Sequence, residues 1–138
     1  MILLDTNVVS DIVKPRPNPK VQAWIDAHNS SSLWISAITV AELHLGIELM
    51  PDGRKKSELR LAIDRAIHLF GQQCAPFDAL AANEFARIVA RRRQIGRPIE
   101  ALDAQIAAVA MTTGFALATL DRKGFEEIDG LKVIDPAN

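Results

Sequence analysis

The sequence predicts an α/β fold, with a central parallel β-sheet flanked by α-helices on both faces. Two observations carry that expectation. Short apolar runs alternate along the chain with longer stretches of helical periodicity. The runs themselves are near-continuously apolar, as strands covered on both faces are, where a half-exposed strand would alternate. No repeat, low-complexity tract or long linker divides the 138 residues, so one domain spanning 1–138 is expected, large enough to bury a core.

The strand candidates are "MILL" (1–4), "LWIS" (33–36), "FALATL" (115–120) and a last run, "LKVID" (131–135). Between them lie five helical patterns. The first, 18–29, has Asn18 placed as an N-cap and Pro19 at the first helical position. The second, 37–50, ends at Pro51, and the third, 57–71, ends at Gly71. The fourth, 78–96, starts at Asp78 as a cap and stops at Gly96. The fifth, 100–114, is apolar almost all round and is expected to be buried. "KPRPNP" (14–19) reads as a stiff, proline-set connection.

Composition narrows the function classes. A net charge of −1 announces no nucleic-acid partner, so any such binding must come from local patches. Cys74 is the only cysteine, which excludes an internal disulfide and suits a reducing compartment. Asp5 breaks the first apolar run before a signal peptide could form. "IAAVAMTTGFALATL" (106–120) is too short, and too interrupted by Thr112, Thr113 and Gly114, to span a bilayer. A cytoplasmic protein is expected. No glycine-rich turn follows any strand, so a P-loop and a dinucleotide fingerprint are both absent. His28, His44 and His68 fall in helical patterns with no nucleophile near them in sequence.

The informative residues are acids in costly places. Asp5 ends the first strand, and Asp121 ends "FALATL" in the same way, with Thr119 just before it. Parallel sheets set their ligand sites at the carboxyl ends of strands. Glu42 has Ile38, Leu45, Gly46 and Leu49 at helical spacing, which reads as a core-facing stripe with a carboxylate in it. Glu48, between His44 and Asp52, fits a solvated face instead. Asp103 has Ile99, Ile106, Ala107 and Ala110 around it and lies in a first helical turn, where a carboxylate is favoured. Each acid alone could be a cap. Four together in a semi-buried pocket would repel one another and hold their protons unless a cation is present. A hard divalent ion, Mg²⁺ or Mn²⁺, resolves that. Clustered carboxylates holding such ions suit phosphodiester hydrolysis.

"MILLDTNVVSDIVKPRPNPKVQAWID", "ISAITVAELHLGI", "LDAQIAAVA" and "LATLDRKGF", in that order, resemble a PIN-domain protein of the VapC type, in its FitB-like branch. The likeness spans nearly the whole chain. It implies a PIN-like α/β domain, usually homodimeric, that acts as the toxin of a bacterial toxin–antitoxin pair, a Mg²⁺- or Mn²⁺-dependent endoribonuclease. By the same resemblance Asp5, Glu42, Asp103 and Asp121 match the acidic metal-binding and catalytic quartet. Thr6, Asn7 and Thr119 match its supporting polar residues. Many members read T-x-N-x-x-D-F near the fourth acid, whereas here Asp121 stands where Asn is common and Gly124 replaces the usual Asp. The FitB-like pattern has the acid at this earlier place. The resemblance also implies an antitoxin partner that lays an apolar segment along the toxin and aims a basic side chain into the acidic pocket. Operator DNA would then be bound only through the antitoxin.

Two basic clusters, Arg54–Lys56 with Arg60 and Arg91, Arg92, Arg93 with Arg97, are solvated helix faces or phosphate contacts. For an RNA substrate, Arg91 to Arg93 are the favoured candidates. Trp24 and Trp34 could stack on bases but sit at packing positions. Two other function classes compete with the nuclease. One is a binding module whose acidic pocket serves as a dock in a DNA-binding autorepressor complex. The other is a phosphatase or receiver-like domain, which shares carboxylates at strand ends.

Overall fold

Leu3 and Leu4 are fully buried in different hydrophobic clusters, one on each face of the sheet. A computed structural model describes residues 1–138. Its sheet has five strands, β1 (Ile2–Leu4), β2 (Leu33–Ser36), β3 (Cys74–Ala75), β4 (Ala116–Ala118) and β5 (Val133–Ile134), in the spatial order β3-β2-β1-β4-β5. Every pairing is parallel. Six helices connect them: α1 (Thr6–Ile12), α2 (Pro19–Asp26), α3 (Ala37–Glu48), α4 (Arg54–Phe70), α5 (Ala79–Gln94) and α6 (Ala101–Thr113).

The helices divide between the faces. Val8, Val9, Val21, Leu43, Ile47 and Ile63, from α1 to α4, pack with Leu4, Ile35 and Ala118. Ala81, Ile88, Ala104 and Ile106–Ala110, from α5 and α6, pack with Leu3 and Leu117. Both faces are covered, which is why the strands read as unbroken apolar runs. From β1 the chain winds out to β3, then returns to the opposite side of β1 to form β4. The carboxyl ends of β1 and β4 therefore lie side by side at the reversal, joined by the Asp5 N–H donating to the Ala118 carbonyl at 2.9 Å. No helix is long and apolar enough to cross a membrane.

Expected caps are present. Asn18 Oδ1 accepts the Lys20 N–H at 2.9 Å with Pro19 at the first position, and Asp78 Oδ1 accepts the Ala81 N–H at 2.9 Å. Gly71 closes α4 with φ 55°. Two elements lie outside the periodicity. β3 is two residues long, too short to show a pattern, and α1 is a seven-residue helix that begins directly on the strand's terminal acid. α4 starts at Arg54, a turn before the apolar repeat becomes visible. β4 stops at Ala118, so "FALATL" is half strand and half connection.

Candidate active site

Asp5 is the N-cap of α1 as well as the residue after β1, and it is only 4% exposed. Its Oδ1 accepts the Thr6 N–H at 2.8 Å and its Oδ2 accepts the Thr119 hydroxyl at 2.8 Å. Thr119, fully buried, in turn accepts from Asn7 Nδ2 at 3.3 Å and from the Asp121 N–H at 3.0 Å. Asn7 Oδ1 accepts the Leu120 N–H at 3.2 Å. The connection leaving β4 is thus laced to the first turn of α1.

Glu42, on α3, meets Asp5 through a second lattice of hydroxyls. Thr6 Oγ1 donates to Glu42 Oε1 at 2.7 Å and lies 3.0 Å from Thr39 Oγ1. The single Thr6 proton goes to Glu42, so Thr39 donates to Thr6. Ser36 caps α3, accepting the Thr39 N–H at 3.1 Å, and its own hydroxyl donates to Thr39 Oγ1 at 3.5 Å. Ser36 and Thr39 are fully buried and were not among the sequence candidates. Their spacing was a cue: Ser36 ends a strand, and Thr39 and Glu42 follow at successive three-residue steps, close to one helix face.

Asp103 sits half-buried in the first turn of α6. Burial, followed by the charges of Asp5, Glu42, Asp121 and Glu100, lifts its pKa from 3.8 to about 6. Burial also raises Asp5, against the lowering effect of the Thr119 and Thr6 hydrogen bonds, and Glu42 and Asp121 add to the rise. An open cleft of about 400 Å³ is lined by Asp5, Glu42 and Asp103 together with Thr6, Asn7, Ser10, Lys14 and Leu120.

Asp121 stands differently from Asp5. It lies beyond the end of β4, is exposed, and caps a 3-10 turn (Arg122–Phe125) by accepting the Gly124 N–H at 3.3 Å. Its charge reaches Asp5 and Asp103, yet it does not line the cleft. A Cβ on residue 124 would fall 2.9 Å from Asp121 Oδ2, so a side chain at 124 and this position of Asp121 exclude each other.

The donor chemistry fits a hard divalent cation: carboxylates and hydroxyls converge, and burial first, then the neighbouring carboxylates, raises the pKa of Asp5 and Asp103. As the side chains stand, no three of them form a ligating group. Gathering around an ion therefore calls for side-chain rotation.

A family model of the PIN domain matches residues 2–131. The chain belongs to the PIN-domain family. It is 41% identical over 130 residues to the toxin FitB of Neisseria gonorrhoeae, covering 94% of each chain. It is 39% identical over 137 residues to the VapC ribonuclease Y4jK of Sinorhizobium fredii, covering 99% of this chain and 97% of that one. Among solved structures, a FitAB complex bound to an IR36 DNA fragment superposes with a TM-score of 0.91 at 38% identity, covering 100% of this chain and 96% of that one. The VapC/FitB resemblance is borne out.

Several finer expectations for this PIN domain need correction. Glu42 does not lie in a core-facing stripe, because Leu45 and Leu49 are 54% and 76% exposed and Gly46 is open. The buried face of α3 is Thr39, Leu43 and Ile47; the helix is apolar nearly all round, so spacing could not single out that face. Arg92 is not available to RNA. It is 4% exposed and donates to the carbonyls of Arg97 (2.6 Å), Gly124 (3.1 Å) and Glu126 (2.8 Å). Arg91 and Arg93 are exposed, but neither lines the carboxylate cleft. Lys56 is tied to the Met50 carbonyl and Asp52, and Arg60 to Glu48 on its solvated face. Trp34 packs on Phe115 and Trp24 on His28, as packing positions should. The Cys74 thiol is pushed up by burial, which makes it a poor nucleophile.

Proposed function

We propose that the chain is a metal-dependent endoribonuclease, the toxin of a bacterial toxin–antitoxin pair. The observation that carries the reading is the cleft at the strand-end reversal that brings Asp5, Glu42 and Asp103 together, its burial raising the pKa of Asp5 and Asp103. The ribonuclease and toxin names of the relatives support it. Asp5, Glu42 and Asp103, with Asp121 reaching in from the rim, would hold Mg²⁺ or Mn²⁺, which when bound supplies an acidified water and neutralises charge on the phosphate. Thr6 orients Glu42, Thr119 orients Asp5, and Asn7 fixes the connection that carries Asp121. The exposed Arg91 and Arg93 are kept as outer RNA contacts.

The antitoxin has a place as well. A groove of about 290 Å³, lined by Val13, Leu43, Gly46, Ile47, Leu59 and Ile63, opens into the carboxylate cleft past Thr6, Ser10, Lys14 and Glu42. An apolar peptide seated there could place a cation among the acids. The FitAB complex bound to an IR36 DNA fragment supports a reading in which operator DNA is reached through the antitoxin; a homodimer working in the cytoplasm belongs to the same proposal. The same groove is the observation that favours a second reading, in which the pocket serves only as a dock.

Cleavage of total bacterial RNA by the antitoxin-free protein separates the two. Discrete fragments with Mn²⁺, abolished by EDTA and by Asp5→Asn, are expected. No cleavage by folded, Mn²⁺-loaded wild type would leave the docking function alone.

A further inference from the structure

Lys14 is the one cation lining the acidic cleft, and it forms no ion pair with Asp5, Glu42 or Asp103. Its only partner is Asp11, at a loose 3.6 Å, and 61% of the Lys14 side chain is exposed. Asp11 is otherwise engaged: it is 7% exposed, and its Oδ2 accepts the Asn18 N–H at 3.0 Å. That bond fixes Asp11, while Lys14 keeps its freedom. With its Lys14 end solvated and 3.6 Å between the charges, the pair is loose, and Asp11 keeps the Asn18 N–H when Lys14 turns to another anion.

The position of Lys14 says which anion. Thr6, Ser10 and Lys14 follow at four-residue spacing along and just past α1, and all three line both the carboxylate cleft and the adjoining groove. Thr6 opens α1 beside Asp5, and Lys14 lies just past the C-cap of the helix, Val13. Anchored at the opposite end of α1 from Asp5, Lys14 is placed for a phosphate neighbouring the one at Asp5. Pro15 and Pro17 stiffen the backbone that follows. We propose that Lys14, with the Ser10 hydroxyl, binds a phosphate of single-stranded RNA flanking the scissile one, and so draws a polyanion into a cleft that would otherwise repel it. The proposal rests on the nuclease reading and adds the binding residue that the Arg91–Arg93 cluster does not supply at the cleft.

The test is binding of a short fluorescein-labelled oligouridylate across a NaCl series, by nuclease-silenced Asp5→Asn protein with Lys14 intact, Lys14→Ala or Lys14→Arg. Loss of one phosphate contact is expected to weaken binding roughly three- to tenfold at low salt. It should also make the log–log salt slope shallower by about 0.7, and Lys14→Arg should restore both. In protein with Asp5 intact, the loss in Lys14→Ala should fall on KM and not on kcat. An unchanged salt slope in Lys14→Ala, or a loss confined to the unfolding temperature, would mean that Lys14 serves only Asp11, and a loss confined to kcat would place it at the scissile phosphate; either would overturn the proposal. Because binding is read without cleavage, a wild type that cuts no RNA would sink the nuclease reading and still leave Lys14 measurable.

Discussion

The Thr119 hydroxyl donates to Asp5 Oδ2 across 2.8 Å, and the same oxygen accepts the Asp121 N–H at 3.0 Å. One buried side chain thus sets the orientation of the innermost acid and the path of the backbone that carries the outermost. Thr119→Val keeps the shape and removes both bonds, together with the one from Asn7 Nδ2 at 3.3 Å. It leaves a buried carboxylate oxygen and a backbone N–H without partners, and it takes away an influence that lowers the Asp5 pKa. The expected outcome is a stability loss of about 1–3 kcal/mol by urea titration. RNA cleavage is expected to fall roughly 10- to 100-fold, with Thr119→Ser restoring most of both. Wild-type cleavage by the valine variant would show that Asp5 needs no such partner.

Asp103 makes a pH prediction whose sign follows from its raised pKa. The native state holds a proton between 3.8 and about 6 that the unfolded chain has released. Its stabilising contribution is therefore present below the ordinary pKa and lost as pH rises through about 6. The group is half-exposed, so solvent screening reduces the effect to about 1 kcal/mol. In EDTA, Asp103→Asn should match the wild type near pH 4 and be the more stable protein near pH 8. Added Mn²⁺ should raise the wild-type unfolding temperature more than that of the variant. Equal Mn²⁺ responses would remove Asp103 from the metal site.

The sheet and most helices were legible because apolar runs, caps and terminal glycines act within a few residues of one another. Asn18, Asp78 and Gly71 each perform the local task their type predicts. β3 and α1 were hidden for a different reason: Cys74–Ala75 is held by its neighbour in the sheet, and α1 by burial of Val8 and Val9. The acids were legible as anomalies. What spacing could not give was orientation. Glu42 reads as core-facing and is half-buried in the cleft wall beside the exposed Leu45 and Leu49, Asp121 reads like Asp5 and lies outside the cleft, and Arg92 reads as a phosphate contact and is buried. The burial of Arg92 is decided by residues more than 30 positions away, Gly124 and Glu126, whereas Asp121 is turned aside by a local cap on Gly124 that its spacing from Thr119 does not announce.

Arg92 carries the prediction that follows from that burial. Its three carbonyl partners join the end of α5 to the connection before α6 and to the turn after Asp121. Arg92→Met keeps the bulk and strands those carbonyls. A loss of about 2–4 kcal/mol in unfolding free energy is expected. The salt dependence of RNA binding should not change, whereas a phosphate contact would alter it. A shallower salt slope with intact stability would return Arg92 to the RNA-binding surface.

Gly124 gives a way to move Asp121 without changing it. A Cβ there would meet Asp121 Oδ2 at 2.9 Å and Cγ at 3.4 Å, and the atoms in the way are the free end of an exposed side chain. Gly124 has no positive φ, so alanine fits its backbone. Gly124→Ala should therefore cost less than about 1 kcal/mol of stability. It should nonetheless push the Asp121 carboxylate out of its cap. If Asp121 supplies the fourth carboxylate from the rim, Gly124→Ala and Asp121→Asn should lower Mn²⁺ affinity and cleavage by similar factors, and combining them should add little. If Gly124→Ala keeps full Mn²⁺ affinity while Asp121→Asn loses it, Asp121 acts from another position than the one it holds here. If neither variant loses anything, Asp5, Glu42 and Asp103 bind the metal without a fourth acid.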